Sequence, residues 1–558
     1  MKCLRCGAAA LAAQKFCGEC GSALGADAVT RPYAGVQHHT PKHLADKILT
    51  SRDSLAGERK QVTVLFADIK GSLELLSDRD PEEARKVLDP VLERMMDGVH
   101  RYEGTVNQVM GDGIMAIFGA PVAHEDHAIR ACYAALRMQK EIERHADDLR
   151  QTEGISVQVR IGINSGEVVV RSIGSDLHMD YTAVGQTTHL AARMEQIARP
   201  GSIFITADCL RLAEGFVEVK RLGPVPVKGL AAPVEIYELI GAGPMRSRLQ
   251  AAAARGLTPF VGRGPEMSAL RDVLARAREG RGQIVAVVGE PGVGKSRLVH
   301  ELVRSHHAAD WLVLESRSAS YGQATPYLPL IELLKNYFKI DAHDSTRSIR
   351  EKVTGKILTL DPTLQEAVPP VLDLLDALYD DHPFASLDAV QHRQATYEAV
   401  TRLLLSEQRV QPVIVVFEDL HWNDSLTLGL LNELVRATAD ARLLLLVSYR
   451  PEYHDEWTTR ANYHQVRLDP LGTDSVAELL GALLGSDASL APLKAFLIAR
   501  TGGNPFFVEE IVQTLVESGA LEGTRGRYRL TTPVASVRVP PTVQAVLAAR
   551  IDGLRAPE

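Results

Sequence analysis

Apolar positions over residues 57–240 change period several times, and each change marks an element. "VTVLFADIKGS" is a short apolar run closed by polar turn residues, the pattern of a buried strand. "DPEEARKVLDPVLERMMDGVHRY" predicts a helix and "GTVNQVMGDGIMAIFG" a hairpin folded at its glycines. In "DHAIRACYAALRMQKEIERH" the residues Ile129, Cys132, Leu136 and Ile142 recur at helical spacing, so a second helix follows. "SVQVRIGINSGEVVV", "GSIFITA" and "VKGLAAPVEIYEL" supply further strand material, and the unit reads as α+β.

A different rhythm begins after "GAGPMRSRLQAAAARGL", residues 241–257, whose small and basic residues predict a linker. Over residues 258–530, "QIVAVVGEPGVGKSRLVHEL" reads as strand, glycine-rich loop and helix, while "PVIVVFEDLHWND" and "RLLLLVSYRPEY" are further buried strands. Strands alternating with helices predict an α/β domain with a parallel sheet and a helical C-terminal part. Residues 25–56 predict a linker and an entry helix, "HLADKILTSRDSLAGERK". In residues 531–558, Val543, Leu547, Ile551 and Leu554 predict one apolar helix face.

Composition changes this picture in three places. A chain of 558 residues with 45% apolar and 24% charged positions holds several domains with real cores. Its net charge of −8 argues against a chain that binds nucleic acid along its whole length. Runs such as "IVAVVG" and "LLLLV" fall far short of the ~20 residues a membrane span needs, and no signal-type region opens the chain, so a cytoplasmic location is expected.

Four of the six cysteines crowd into residues 1–24 as C-x2-C, ten residues, C-x2-C. Cys3, Cys6, Cys17 and Cys20 predict a tetrahedral Zn2+ site, because four thiolates suit that ion and a cytosolic compartment keeps them reduced. The module resembles the zinc ribbons that begin many bacterial signalling proteins. Cys132 and Cys209 are expected in a core.

Asp68 ends the first strand in "FADIKGS" and Asp112 sits at the hairpin tip in "MGDG". If the strands are neighbours, the two carboxylates face each other and invite Mg2+ or Mn2+. These stretches resemble the class III adenylate/guanylate cyclase catalytic domain over residues 57–240. The resemblance implies a ferredoxin-like fold, with Asp68 and Asp112 as metal ligands for attack of the ribose 3'-oxygen on the α-phosphate. It also implies that "YTAVGQTTHLAARMEQIA" carries the transition-state pair, four residues apart. Arg193 matches the family position, where its cation stabilises charge growing on the phosphate, whereas His189 replaces the usual asparagine. Leu190, Met194 and Ile197 are expected to form that helix's apolar face.

Purine recognition departs from the family: Gln108 replaces its lysine and Thr182 its aspartate. An amide and a hydroxyl can each donate or accept, so ATP and GTP both stay open, with ATP favoured only by the family's commoner activity. Lys228 resembles the lysine that contacts the triphosphate. The family places its metal aspartates on one subunit and its transition-state pair on the other, which implies a head-to-tail homodimer. "HEDH", His124 to His127, reads as a solvated helix start rather than a metal site.

The G-x4-G-K-S motif runs from Gly289 through Gly292 and Gly294 to Lys295 and Ser296. Loop amides cradle phosphates, Lys295 reaches the β- and γ-phosphates of ATP, and Ser296 holds Mg2+. Glu418 and Asp419 end a strand as a Walker B pair, one for Mg2+ and the other for the attacking water, in either order. Arg450 either senses the γ-phosphate or lies exposed in a loop. With "VGR" and the "TGGNPFF" that contains Gly503, Asn504 and Pro505, these pieces resemble regulatory AAA-like or STAND ATPases. Relatives of that architecture carry further C-terminal domains, so a fragment or shortened chain is expected.

The combined expectation is a signalling cyclase governed by a switch ATPase, with an unknown protein partner for the ribbon or a missing C-terminal region. A degenerate cyclase that only binds nucleotide, and an ATP-dependent scaffold, are the competing readings.

Overall fold

The computed structural model describes residues 58–531, apart from short segments that include residues 72–79, 174–179, 182–185, 228–231, 244–247 and 318–325, and also Val543. The ribbon cysteines, the entry helix, Thr182, Lys228 and the C-terminal helix face beyond Val543 therefore lie outside the described residues.

The first domain is built on β1 (Glu58–Ile69), α1 (Pro81–Arg101), β2 (Thr105–Val109), β3 (Gly113–Phe118), α2 (His127–Glu153) and β4 (Val159–Val170). After a small ribbon, β5 (Ser172–Ile173) with β6 (Asp180–Tyr181), come α3 (Gln186–Ile197), β7 (Ile203–Thr206), α4 (Ala207–Ala213), β8 (Val217–Val225) and β9 (Val234–Ala242). The sheet order is β2-β3-β1-β4-β7-β9-β8, antiparallel except between β4 and β7. The βαββαβ start with β1 and β3 central is the ferredoxin-like arrangement expected from the sequence.

Local chemistry explains the limits of the elements. Asp80 caps α1 by accepting from Glu82 N, with Pro81 in the first turn and Glu82 and Glu83 favouring the helix dipole. α2 stops at Gly154, whose left-handed φ of 70° closes the last turn. β1 is buried on both faces because side chains alternate across a strand. Leu65, Ala67 and Ile69 pack with α1 and α2, while Val62 and Val64 pack with Ala191 of α3 on the other face. Cys132 and Cys209 are buried free thiols, their sulfurs 3.9 Å apart.

The 241–257 stretch is not wholly a linker. It contains α5 (Arg248–Ala254), which its alanine run favours.

The second domain holds α6 (Gly264–Arg278), β10 (Gln283–Gly289), α7 (Lys295–Val303), β11 (Leu312–Arg317), β12 (Val413–Glu418), β13 (Leu443–Tyr449) and β14 (Tyr463–Leu468). All four strand pairings are parallel, in the order β11-β12-β13-β10-β14. Strands this thoroughly buried read as continuous apolar runs, which is what the sequence shows. A helical part follows: α8 (Leu328–Phe338), α9 (Thr346–Leu360), α10 (Val368–Leu374) and α11 (Ala389–Val410) lie between β11 and β12, and α12 (Ser425–Ala437) follows β12. α13 (Thr473–Leu484), α14 (Ala491–Thr501) and α15 (Pro505–Glu517) form a separate apolar cluster with Val261. Among the described residues no helix is long and apolar enough to cross a membrane.

Candidate active sites

Two edges collect the predicted chemistry. In the first domain β1 and β3 run antiparallel with Asp68 opposite Gly113, so Asp68 lies beside the turn that carries Asp112. Ile69 N donates to the Asp112 carbonyl at 3.2 Å, which ties that turn to the strand end. Gly111 takes a φ of 76°, and a Cβ on Gly113 would lie 2.5 Å from the Ala67 carbonyl oxygen, so both glycines answer steric demands.

Sequence reasoning missed the partners of Asp68. Arg160 on β4 donates to Asp68 Oδ2 at 2.7 Å and lies 2.7 Å from Glu195 Oε1 on α3. The second contact is close but poorly angled: Glu195 Oε1 and Arg160 Nε are both buried without a hydrogen-bond partner. Two carboxylates thus share one guanidinium, with the charge of Asp112 close by. Burial raises the Asp68 pKa, the Arg160 hydrogen bond opposes this, and the charge of Asp112 adds to it. Burial likewise pushes Glu195 up to about 7, against Arg160 and with help from Asp68 and Asp112. An isolated arginine in alternating strand sequence gave no warning of this role.

An acid pair of this kind fits a hard divalent cation. Mg2+ is held by one or two carboxylates plus substrate phosphates, so two aspartates are a sufficient protein donor set. No group of three or more His, Cys, Asp or Glu metal donors occurs among the described residues.

α3 carries His189 and Arg193, the expected transition-state pair. Its buried residues are Thr187, Ala191, Met194 and Glu195, while Ile197 is 38% exposed and Leu190 half-buried. Met194 and Leu190 pack inward as expected, but Ile197 does not and Glu195 does, because α3 rides on Gly162 of β4: a Cβ there would lie 2.0 Å from Glu195 N. Residues two apart on a helix point about 200° apart. Glu195 faces the sheet, and Arg193 faces out with its Nη1 donating to Gln196 Oε1 at 2.5 Å. His189 is also exposed, as is Gln108 on the edge strand β2. One chain brings Asp68 and Asp112 together but does not add His189 and Arg193 to them.

"HEDH" is not a solvated helix start. His124 and His127 are buried, and fully buried Arg130 draws Asp126 (2.8 Å) and Glu103 (2.9 Å) into an ion-pair network. Burial of that guanidinium needs both carboxylates, which is why the segment turns inward. Glu125 alone reaches across to the other domain, where it pairs with Arg450.

On the second edge, parallel β10, β13 and β12 bring their C-terminal ends together, which is where open α/β sheets bind ligands. Gly289 ends β10, Gly294 precedes α7, and the loop between contains Gly292. Lys295 Nζ donates to the carbonyls of Gly289 (2.8 Å) and Glu290 (3.1 Å). Its pKa is lowered chiefly by burial, while the charges of Asp419, Glu125 and Glu290 oppose the shift. Ser296 is half-buried one residue on. Glu418 is buried at the end of β12, and Asp419 N donates to Ser448 Oγ at 3.0 Å. Arg450 follows β13; it is 20% exposed, so the solvated-loop alternative for it does not hold.

Two further residues frame the P-loop. Arg263 of "VGR" donates to the carbonyls of Val293 (3.0 Å) and Asp469 (2.7 Å). Asn504 Nδ2 donates to the Pro291 carbonyl at 2.9 Å and its Oδ1 accepts from Phe506 N, so the start of α15 is fastened to the phosphate loop. The motif "GGNP" hinted at this, but its partner was invisible in sequence.

Both domains match known families. Residues 55–241 match the Adenylate and Guanylate cyclase catalytic domain family, and residues 259–447 the AAA ATPase domain family. An uncharacterised protein of Rhizobium meliloti (strain 1021) is 26% identical over 473 residues, 82% of this chain and 44% of that protein. Adenylate cyclase 1 of the same organism is 30% identical over 207 residues, 36% of this chain and 31% of the relative. The crystal structure of the adenylyl cyclase CyaB from P. aeruginosa shares 32% identity, covering 33% of this chain and 96% of that one with a TM-score of 0.32. The chain spans less than half the length of these two curated relatives. It carries an adenylate and guanylate cyclase catalytic domain followed by an AAA ATPase domain.

Proposed function

We propose that the chain converts a purine nucleoside triphosphate, ATP before GTP, into its 3',5'-cyclic nucleotide and pyrophosphate, under the control of ATP bound at the P-loop. The observation that carries this reading is the Asp68–Asp112 pair beside Arg160. Asp68 and Asp112 would hold Mg2+ or Mn2+, which supplies charge neutralisation for the departing pyrophosphate and acidifies the ribose 3'-hydroxyl. Arg160 presents a cation beside them that can trade its carboxylate partners for a phosphate.

Arg193 and His189 are exposed, which supports a site completed by a second copy in head-to-tail fashion. In that dimer Arg193 stabilises charge on the α-phosphate and His189 hydrogen-bonds the ribose. Gln108 and Thr182 take the purine edge, and Lys228 the triphosphate.

In the ATPase domain Lys295 and Ser296 take the phosphates and Mg2+ of ATP, Glu418 and Asp419 hold the metal and the attacking water, and Arg450 meets the γ-phosphate. Cys3, Cys6, Cys17 and Cys20 would hold Zn2+ in a ribbon that takes a protein partner.

The test incubates the full chain with Mn2+ and either ATP or GTP, reading cyclic nucleotide by mass spectrometry beside Asp68→Ala and Lys295→Ala. Product lost in Asp68→Ala is the expected result and names the purine. Phosphate release that needs Lys295, with no cyclic product under any condition, would leave an ATP-driven switch carrying a nucleotide-binding relic.

A further inference from the structure

The ion pair between Glu125 and Arg450 joins the two domains and belongs to neither reaction. Glu125 sits in the turn between β3 and α2, and that turn is fixed to the cyclase core on every side. Lys60 Nζ donates to the Pro121 carbonyl at 3.3 Å, Arg130 holds Asp126, and His127 Nδ1 lies 2.7 Å from Thr63 Oγ1. From this framework Glu125 meets the Arg450 guanidinium, with both side chains about four-fifths buried. Its charge also reaches Lys295, after that of Asp419 and ahead of that of Glu290 of the ATPase itself.

A carboxylate from one domain therefore pairs with Arg450 and adds its charge to the surroundings of Lys295 in the other. Guanidinium binds carboxylate and phosphate oxygens through the same N–H edges, so one occupant displaces the other. We infer that Glu125 is a stand-in anion at Arg450, so that the interdomain contact and the γ-phosphate of ATP exclude one another. The inference rests on the reading that the P-loop takes ATP.

Its consequence follows by linkage. Whatever weakens the contact must strengthen ATP binding, and ATP must weaken the contact by the same factor. ADP lacks the competing phosphate and leaves the contact in place.

The test measures binding of a non-hydrolysable ATP analogue and of ADP to the full chain, in an Asp68→Ala background that suppresses metal-dependent binding at the cyclase site. Glu125→Gln should tighten the ATP analogue by about tenfold and ADP by less than about twofold. Glu125→Asp, which keeps the charge, should stay near the parent. Equal changes for both nucleotides, or no change while Lys295→Ala abolishes binding, would overturn the inference. Binding that is indifferent to Lys295→Ala would sink the ATPase reading itself, and the inference with it.

Discussion

The two charged edges of this chain are satisfied in opposite ways. At the cyclase edge Asp68 and Glu195 share one arginine with Asp112 close by, and burial, with the neighbouring carboxylate charges adding to it, raises the pKa values of Asp68 and Glu195. At the ATPase edge the cations are already engaged: Lys295 by two loop carbonyls, Arg450 by a carboxylate from the neighbouring domain. The first edge gains by taking up positive charge, whereas the second must give up contacts before it takes up negative charge. Under the proposed function, that difference suits an output site and a controlling site respectively.

The largest expected effect tests the acid edge directly. Asp68→Ala should lower cyclic nucleotide formation by at least about a hundredfold, since it removes half of the metal donor set. Retained product with Mn2+ would move the chemistry away from this edge.

Dimer architecture gives the next test. Asp68→Ala and Arg193→Ala should each be inactive alone, yet mixing them should restore about a quarter of parental activity, because random pairing makes half the dimers mixed and each mixed dimer has one intact site. No recovery after mixing, with dimers confirmed by light scattering, would place both residues in one chain's site.

Gly162→Ala is a smaller, structural perturbation. Its Cβ meets the α3 backbone, so the helix must lift off β4, at a cost of about 1–3 kcal/mol. A lower thermal midpoint accompanied by loss of cyclase activity, with Lys295-dependent nucleotide binding intact, would keep the two edges distinct. Asn504→Ala should act in the converse sense, costing about 1 kcal/mol at the P-loop and leaving cyclase folding alone.

The subtlest test is pH. Glu195 binds its proton more tightly in the fold than in the unfolded chain, so its neutral form favours folding at low pH and that advantage is lost as pH rises through about 7. Without divalent cation, the thermal midpoint of the cyclase domain should fall between about pH 5 and about pH 8. Glu195→Gln should flatten that decline; an unchanged slope would assign it to other groups.

The legible parts share one property, which is that short sequence separation decides them. The P-loop between Gly289 and Ser296 needs only eight consecutive residues, and strand and helix periods on either side confirm it. Asp68 and Asp112 were legible because each ends an apolar run at a turn. The helix face of α3 was legible at Met194 and Leu190 but misjudged at Ile197, because apolar periodicity cannot weigh a glycine on a distant strand: Gly162 lets the backbone approach and draws Glu195 inward. "HEDH" was misjudged for a similar reason, since its two histidines are buried and Arg130 draws Asp126 inward while Glu125 pairs with distant Arg450.

By itself the sequence determined most of the elements, the parallel-sheet domain, the turn positions of Asp68 and Asp112 and the phosphate loop, because hydrophobic period and turn chemistry act between near neighbours; the ferredoxin-like arrangement was implied by resemblance rather than by period. Only the tertiary structure decided which charges meet. Arg160 with Asp68 and Glu195, Asn504 with the P-loop, and Glu125 with Arg450 are pairings across 92, 35, 213 and 325 positions. Electrostatic partners at such separations are chosen by packing, which no local pattern records.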